Sequence, residues 1–306
     1  MTSFGARSHR PFLLLACALG CQVGPKSAPA APPAAAPTPA AATAGCAFQD
    51  DKQFCGCLGL SCGGDTIADR DGRYHTVYCG TCDASRVCVG KPSVAGGAAG
   101  VCSAISGLTA AQKKVAEQLT SLWENDTTNL AYGYSENIDD GRGFTSGRAG
   151  FCTGTGDAIV VLACYQAAKP GNRLQKYLPA LATLEDAFIK TAGKENQGAT
   201  KGLEGWVADW TASGSDPAFQ GCQDAVVDAV YYGSAMQHAA RKGFTTALTK
   251  AAFYDAQINM GDDNPVYGMK AMIARADQLA GPLSAPPTRE DETRWLGAFL
   301  KVRAQV

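Results

Sequence analysis

Histidine is scarce in this chain: three occur in 306 residues, and only His238 lies beyond residue 102. A histidine-dependent triad or a histidine-ligated metal centre has almost no material here, and neither a metal nor a cofactor is expected. Charge of one sign is also lacking, since 27 Lys and Arg against 28 Asp and Glu leave a formal net charge of −1. That balance carries no footprint for nucleic acid. The GRG and GTG of residues 141–143 and 154–156 lack the strand and lysine of phosphate loops. A calcium loop begun at Asn137 fails as well, because Arg142 falls where glycine is needed and Arg148 where a bidentate Glu belongs. Alternating apolar and polar residues are few, so any sheet is small and is expected within 130–150.

What is present begins with an address. Arg7 and Arg10 precede the short apolar run FLLLACALG, the layout of a bacterial secretory signal, and the run is too short to span a bilayer. Small residues directly before Cys21, or before Cys17, resemble a lipobox, whose cysteine is lipidated. The expectation is a signal peptide over 1–21 and an extracellular or outer-surface lipoprotein tethered through Cys21 or Cys17, an ordinary cleaved signal being the alternative. Residues 22–45 are nearly all Ala, Pro, Ser and Thr and read as an extended spacer.

Residues 46–102 hold eight cysteines (46, 55, 57, 62, 79, 82, 88, 102) among many glycines. In an exported chain this predicts a small disulfide-rich module with four bridges of open pairing. The rival is a zinc site drawing on CGC at 55–57, CGTC at 79–82 and His75. The stretch CGTCDASRVC resembles small cysteine-rich modules of secreted proteins, which implies attachment or polysaccharide binding.

Residues 103–306 change to a globular composition. Thr109 and Gln112 fit a capping box, and Val115, Leu119, Leu122 and Trp123 follow at helical spacing, predicting a helix to about Trp123. AIVVLACYQAA at 158–168 is apolar all round and reads as a helix buried on most sides, with Asp157 as its N-cap. Further helical patterns cover about 175–192, 222–241, 244–260, 266–279 and 291–303. The fold class is mainly α.

The carboxylates are unevenly placed. Glu124, Asp126, Glu136, Asp139, Asp140 and Asp157 crowd 124–157 against only Arg142 and Arg148. Two carboxylates across a cleft are the simplest catalytic option left, and they need no cofactor. Glu124, at the end of an apolar helix beside Trp123, can be partly desolvated, which raises a carboxyl pKa and keeps its proton available. Asp140, in a Gly-rich turn two residues before Arg142, is favoured as an ionised base.

Glu124-Asn125, Tyr134, Asp140-Gly141-Arg142-Gly143, Thr145, Gly150 and Asp157 resemble the signature of glycoside hydrolase family 46, the chitosanases. The likeness continues through PGNRLQKYLPAL (170–181), AAFYDAQ (251–257) and DETRWLGAFLKVR (291–303). The resemblance implies an α+β lysozyme-like fold of two helical lobes flanking a substrate cleft, and endo-cleavage of chitosan with inversion. It implies Glu124 as general acid, Asp140 as general base and Thr145 as the residue that positions the attacking water. Tyr134, Arg142 and Asp157 fall on substrate-binding positions, Asp157 as receiver of a substrate amine. Asp255 and Arg303 match a structural charge network behind the acid. The family's second network arginine and last helix have no counterpart before Val306. Chitosan or its oligosaccharides are the expected partner, and the enzyme is expected to be a monomer. A non-hydrolytic carbohydrate-binding surface protein and a lysozyme-like peptidoglycan hydrolase are the alternatives.

Taken singly, the other residues have plainer readings. Arg142 and Arg148 would be solvated, and Trp206, Trp210, Tyr231 and Tyr232 would pack a core. Among Cys152, Cys164 and Cys222 one bridge can form, leaving a buried free thiol.

Overall fold

Four disulfides hold together a stretch with little apolar surface of its own. In the computed structural model, which describes residues 45–90, 97–191 and 200–306 without the side chains of Glu124 and Asn125, they join Cys46–Cys57, Cys55–Cys79, Cys62–Cys88 and Cys82–Cys102. The expected signal, Cys17, Cys21 and the linker up to residue 44 lie outside the described residues. The thiols of CGC and CGTC are thus consumed in bridges, which removes the zinc reading. Helix α1 (Asp51–Cys57) starts where Asp50 Oδ1 accepts the Gln53 N–H at 2.8 Å. Strands β1 (Cys62–Ala68), β2 (Tyr74–Gly80), β3 (Val87–Gly90) and β4 (Ala98–Ser103) form an antiparallel sheet in the order β2-β1-β4-β3.

This sheet is not a free-standing unit. Cys46, Phe54, Cys55 and Val77 make a small cluster of their own, whereas Cys62, Val87, Cys88 and Ala98 belong to the main core with Val160, Val226, Ala229 and Tyr232. Contact is backbone-close: a Cβ on Gly233 would lie 1.9 Å from the Cys88 carbonyl oxygen, and one on Gly63 3.0 Å from Ala229 Cβ. One core therefore runs across the boundary that composition drew after residue 102.

Helix α2 (Ala110–Asn125) carries the predicted capping box between Thr109 and Gln112. Its orientation differs from what its pattern suggests. Val115, Leu119, Leu122 and Trp123 are 55, 50, 40 and 82% exposed, while Ala116, Thr120 and Ser121 are buried. The inward face also carries Lys113 and Glu117, both engaged in ion pairs, so polar partners and not apolar burial fix how the helix sits.

Beyond α2, a three-stranded antiparallel sheet of β5 (Ser135–Asn137), β6 (Phe144–Ser146) and β7 (Phe151–Cys152) falls nearly where a small sheet was expected. Helix α3 (Asp157–Ala168) is buried from Asp157 to Leu162 because α4 (Leu178–Lys190), α6 (Pro217–Val227) and strands β1 and β2 pack around it. Its lack of an amphipathic pattern has this cause. Cys164 is bridged to Cys222 of α6, and Cys152 is free and buried, as expected.

The pattern at 222–241 belongs to a longer rod. Asp216 caps it through the Ala218 N–H, Pro217 opens it, and α6 passes through a π-helical turn at Asp228–Tyr232 into α7 (Gly233–Lys242). The rod links two groups of helices. On one side lie α3, α4 and α5 (Trp206–Ser213) with the β5–β7 sheet; on the other α8 (Ala247–Met260), α9 (Met269–Ala280) and α10 (Arg289–Arg303). Trp206, Trp210 and Tyr231 are buried in the core, as is most of Tyr232, whose hydroxyl accepts the Leu108 N–H at 2.6 Å.

Candidate active site

Asp140 is held by its own turn. Asp139, Gly141 and Gly143 take positive φ values of 57, 84 and 78°, a path open to glycine and tolerated by aspartate, which coils the loop between β5 and β6 around the carboxylate. Oδ1 accepts the Arg142 backbone N–H at 3.0 Å, and Oδ2 accepts Arg142 Nε at 2.9 Å and Nη2 as well. Arg142 is therefore a clamp on Asp140, with a side chain only 14% exposed, and not a solvated cation. Burial pushes the Asp140 carboxyl above its ordinary value, against the pull of the Arg142 N–H and with Cys152 and Asp139 adding to the rise. The simple expectation of a base favoured in its ionised form by Arg142 is thus offset by desolvation.

Thr145 lies on β6, paired with Glu136 on one side and Cys152 on the other, and is fully buried. The Tyr134 hydroxyl donates to Glu136 Oε2 at 3.2 Å. Of the six crowded carboxylates, Asp126, Glu136, Asp139 and Asp140 face solvent.

Asp157 does not join them. It is 1% exposed, and its Oδ1 accepts the Cys152 N–H at 2.8 Å, the Thr155 hydroxyl at 2.9 Å and the Ala158 N–H at 3.1 Å. It occupies the first turn of α3, Gly156 being the cap residue. Through Oδ1 the carboxylate ties β7 to α3 from inside. Burial drives its carboxyl well above the usual range, with Cys152 adding to the rise.

Glu124 stands in the last turn of α2, which ends at Asp126 in a left-handed conformation with φ 57°. Its side chain lies outside the described residues. Its neighbour Trp123, read from the sequence as part of an apolar helix face, is 82% exposed.

Behind α2 the structure assembles a charge network that sequence reasoning caught only in part. Arg303 pairs with Asp255, as expected, and Asp255 Oδ1 accepts the Thr120 hydroxyl at 3.0 Å. The pair is partly exposed, at 27% and 21%, and not sealed in the interior. The centre of the network is Arg148, whose side chain is 4% exposed and binds Glu117 at 2.9 Å and Asp224 at 2.8 Å. The Tyr132 hydroxyl donates to Asp224 at 2.9 Å, and Lys113 donates to Asp228 at 2.6 Å. Arg148 had been read as solvated. The signal that could have found its partners is the spacing of Lys113, Glu117 and Thr120, which share one face of α2 opposite the apolar stripe.

A carboxylate clamped on a coiled turn, together with a helix braced from behind by buried ions, is a frame for acid–base hydrolysis. Residues 118–306 match the family model described as glycosyl hydrolase family 46. The chain belongs to glycosyl hydrolase family 46. Among its family 46 relatives, a chitosanase of Bacillus subtilis (strain 168) is 43% identical over 198 residues, 65% of this chain and 68% of the relative. A chitosanase of Nocardioides sp. (strain N106) is 37% identical over 202 residues, 64% of this chain and 66% of the relative. Solved family structures agree. Native chitosanase from Bacillus subtilis MY002 superposes with a TM-score of 0.54 at 42% identity, covering 65% of this chain and 78% of that one. The Gynuella sunshinyii family 46 chitosanase in complex with chitotetraose gives 0.54 at 40% identity over the same shares. The family 46 match starts within α2, and the whole disulfide-linked sheet lies ahead of it in the chain.

Proposed function

We propose that this family 46 hydrolase is an endo-acting, inverting chitosanase that cleaves β-1,4 glucosamine linkages. The observation that carries the reading is the family match over 118–306, which takes in both Glu124 and Asp140. In this reading Glu124 protonates the glycosidic oxygen as the bond to C1 breaks, and Asp140 takes a proton from a water attacking C1 from the opposite face. Inversion needs room for that water, about 6.5 Å or more between the two carboxyls. Desolvation of Asp140 makes it a stronger base than a surface aspartate, and the Arg142 clamp fixes its direction. Thr145, buried on the strand that follows the Asp140 turn, orients the water from below, while Tyr134 and Arg142 border the sugar.

The acidic surface fits a cationic polymer. Glucosamine amines are largely protonated in mildly acidic water, and Asp126, Glu136 and Asp139 leave negative charge on the loops around Asp140. The protein works outside the cell, tethered through a lipidated Cys21 or Cys17, a reading supported by the small residues before each. Radiolabelled fatty acid incorporation that disappears in Cys21→Ser or Cys17→Ser tests that tether.

Reducing-end release from chitosan tests the activity. Glu124→Gln and Asp140→Asn should each remove nearly all hydrolysis while the melting temperature stays within a few degrees of wild type. Near-wild-type turnover in either variant, or a preference for cell-wall substrate over chitosan, would sink the assignment.

A further inference from the structure

The acid and the base proposed above stand on different parts of the fold. Asp140 and Thr145 are carried by the β5–β7 sheet, whereas Glu124 is in the last turn of α2, so their separation depends on how α2 is fastened to that sheet. Position 124 follows Glu117 by seven residues, nearly two full turns, and so lies on the same face of the helix. Among the described residues, side chains of α2 bond Asp228 on the rod through Lys113, Asp255 on α8 through Thr120, the Asn129 carbonyl through Ser121, and Arg148 through Glu117. The last of these reaches the sheet.

Arg148 lies on the turn between β6 and β7, three residues after Thr145, and that turn is tied down on every side. Its backbone N–H donates to Gln223 Oε1 at 3.0 Å, and Gln223, fully buried on α6, donates through Nε2 to the Tyr132 carbonyl at 3.0 Å. Gly147 donates its N–H to the Tyr134 carbonyl at 2.7 Å. It has no room for a side chain, since a Cβ there would lie 2.4 Å from Gln223 Oε1. From this post the guanidinium spans two carboxylates, Glu117 of α2 at 2.9 Å through Nη2 and Asp224 of α6 at 2.8 Å through Nη1.

We propose that Arg148 is a positioning residue for the hydrolysis, a strut that sets the acid helix against the sheet of the base. This rests on the reading of Glu124 as acid and Asp140 as base. Arg148 acts through α2 and not on the sugar, and a misplacement of about 1 Å between reacting groups can cost about 10²-fold in rate. A guanidinium suits the task because its planar fork holds two carboxylates in fixed directions, which an ammonium does not. The turn does two separate jobs. The backbone N–H groups of Gly147 and Arg148 hold the segment of Tyr132 and Tyr134 that borders the sugar, and the Arg148 side chain holds α2. Cutting the side-chain arm alone therefore separates turnover from binding.

Steady-state kinetics of the full-length protein on chitosan, run well below each variant's melting temperature, test this. Glu117→Gln removes the charge from the α2 end of the arm, and Arg148→Lys leaves a single ammonium in place of the fork. Each should lower kcat by roughly ten- to a hundredfold while KM stays within about twofold of wild type. Should Arg148→Lys fail to fold, the isosteric Glu117→Gln carries the test alone. Gly233→Ala, which disturbs the rod against β3, is the control for general loosening: it should lower the melting temperature and leave kcat unchanged. Wild-type kcat in Glu117→Gln, a rise in KM that accounts for the loss, or an equal loss of kcat in Gly233→Ala would overturn the strut. With Glu124→Gln and Asp140→Asn inactive, those outcomes leave the hydrolase assignment standing, whereas an active Glu124→Gln would overturn both.

Discussion

Glu185, on α4, is 3% exposed, and neither of its carboxylate oxygens has a hydrogen-bond partner. Burial pushes its pKa up from 4.5 to about 8, with Asp157 of α3 and Asp65 of β1 adding to the rise and the Thr66 hydroxyl opposing it. The sign of the consequence is fixed by linkage. An unfolded glutamate loses its proton near 4.5 while the folded one keeps it to about 8, so stability is greatest below that window and falls as pH rises through it. Glu185→Gln, which copies the protonated shape, should therefore leave the melting temperature alone near pH 4. At pH 8 it should stabilise by roughly 3 to 5 kcal/mol, flattening the alkaline limb of a melting curve series. Arg303→Ala is a milder case. Because its pair with Asp255 is about a quarter exposed, water can replace the lost partner, and urea titration should register about 1 to 2 kcal/mol in place of the larger loss of a sealed ion pair.

At the level of elements, the junction between the π-helical turn and α7 is where helix propensity and packing disagree. Alanine for Gly233 would gain roughly 1 kcal/mol by propensity alone. Its Cβ, however, would lie 1.9 Å from the Cys88 carbonyl on β3, so Gly233→Ala should destabilise by about 1 to 3 kcal/mol or more, read from a chemical denaturation midpoint. An unchanged midpoint would mean that β3 and the rod yield easily. The same elements show what a linear chain reveals. Caps and periodicity located α2, α3, α8 and α10 within a few residues, because local hydrogen bonds at Thr109, Thr246 and Thr288 set their starts. Which face of α2 points inward was not legible locally. It depends on Arg148, Asp255 and Asp228, which arrive from three distant parts of the chain. The burial of Asp157 was not legible for a like reason, since the depth of a first helical turn is decided by the strands and helices laid over it.

For the whole molecule, the shared core makes the disulfide-linked sheet a wall of the catalytic body. The change of composition after residue 102 suggested an appended module, yet Cys62, Cys88 and Ala98 pack with α3 and the rod. A fragment of 103–306 should fail to fold, showing neither a cooperative melt nor chitosan hydrolysis. A folded, active fragment would contradict the shared core. Sustained reduction of the full protein should inactivate it together with loss of tertiary circular dichroism signal.

The bridge Cys62–Cys88 closes within the first third of the chain, and the surfaces that lean on it, at Val160 and at Ala229–Gly233, are synthesised long afterwards. Under the export proposed above, the chain emerges N-terminus first, so the oxidised sheet would stand ready as a template before the helical body exists. Such long-range closure is slow and leaves apolar strands uncovered meanwhile. Yield on secretion should accordingly follow the rate of oxidation in the receiving compartment, and synthesis under reducing conditions should give aggregate.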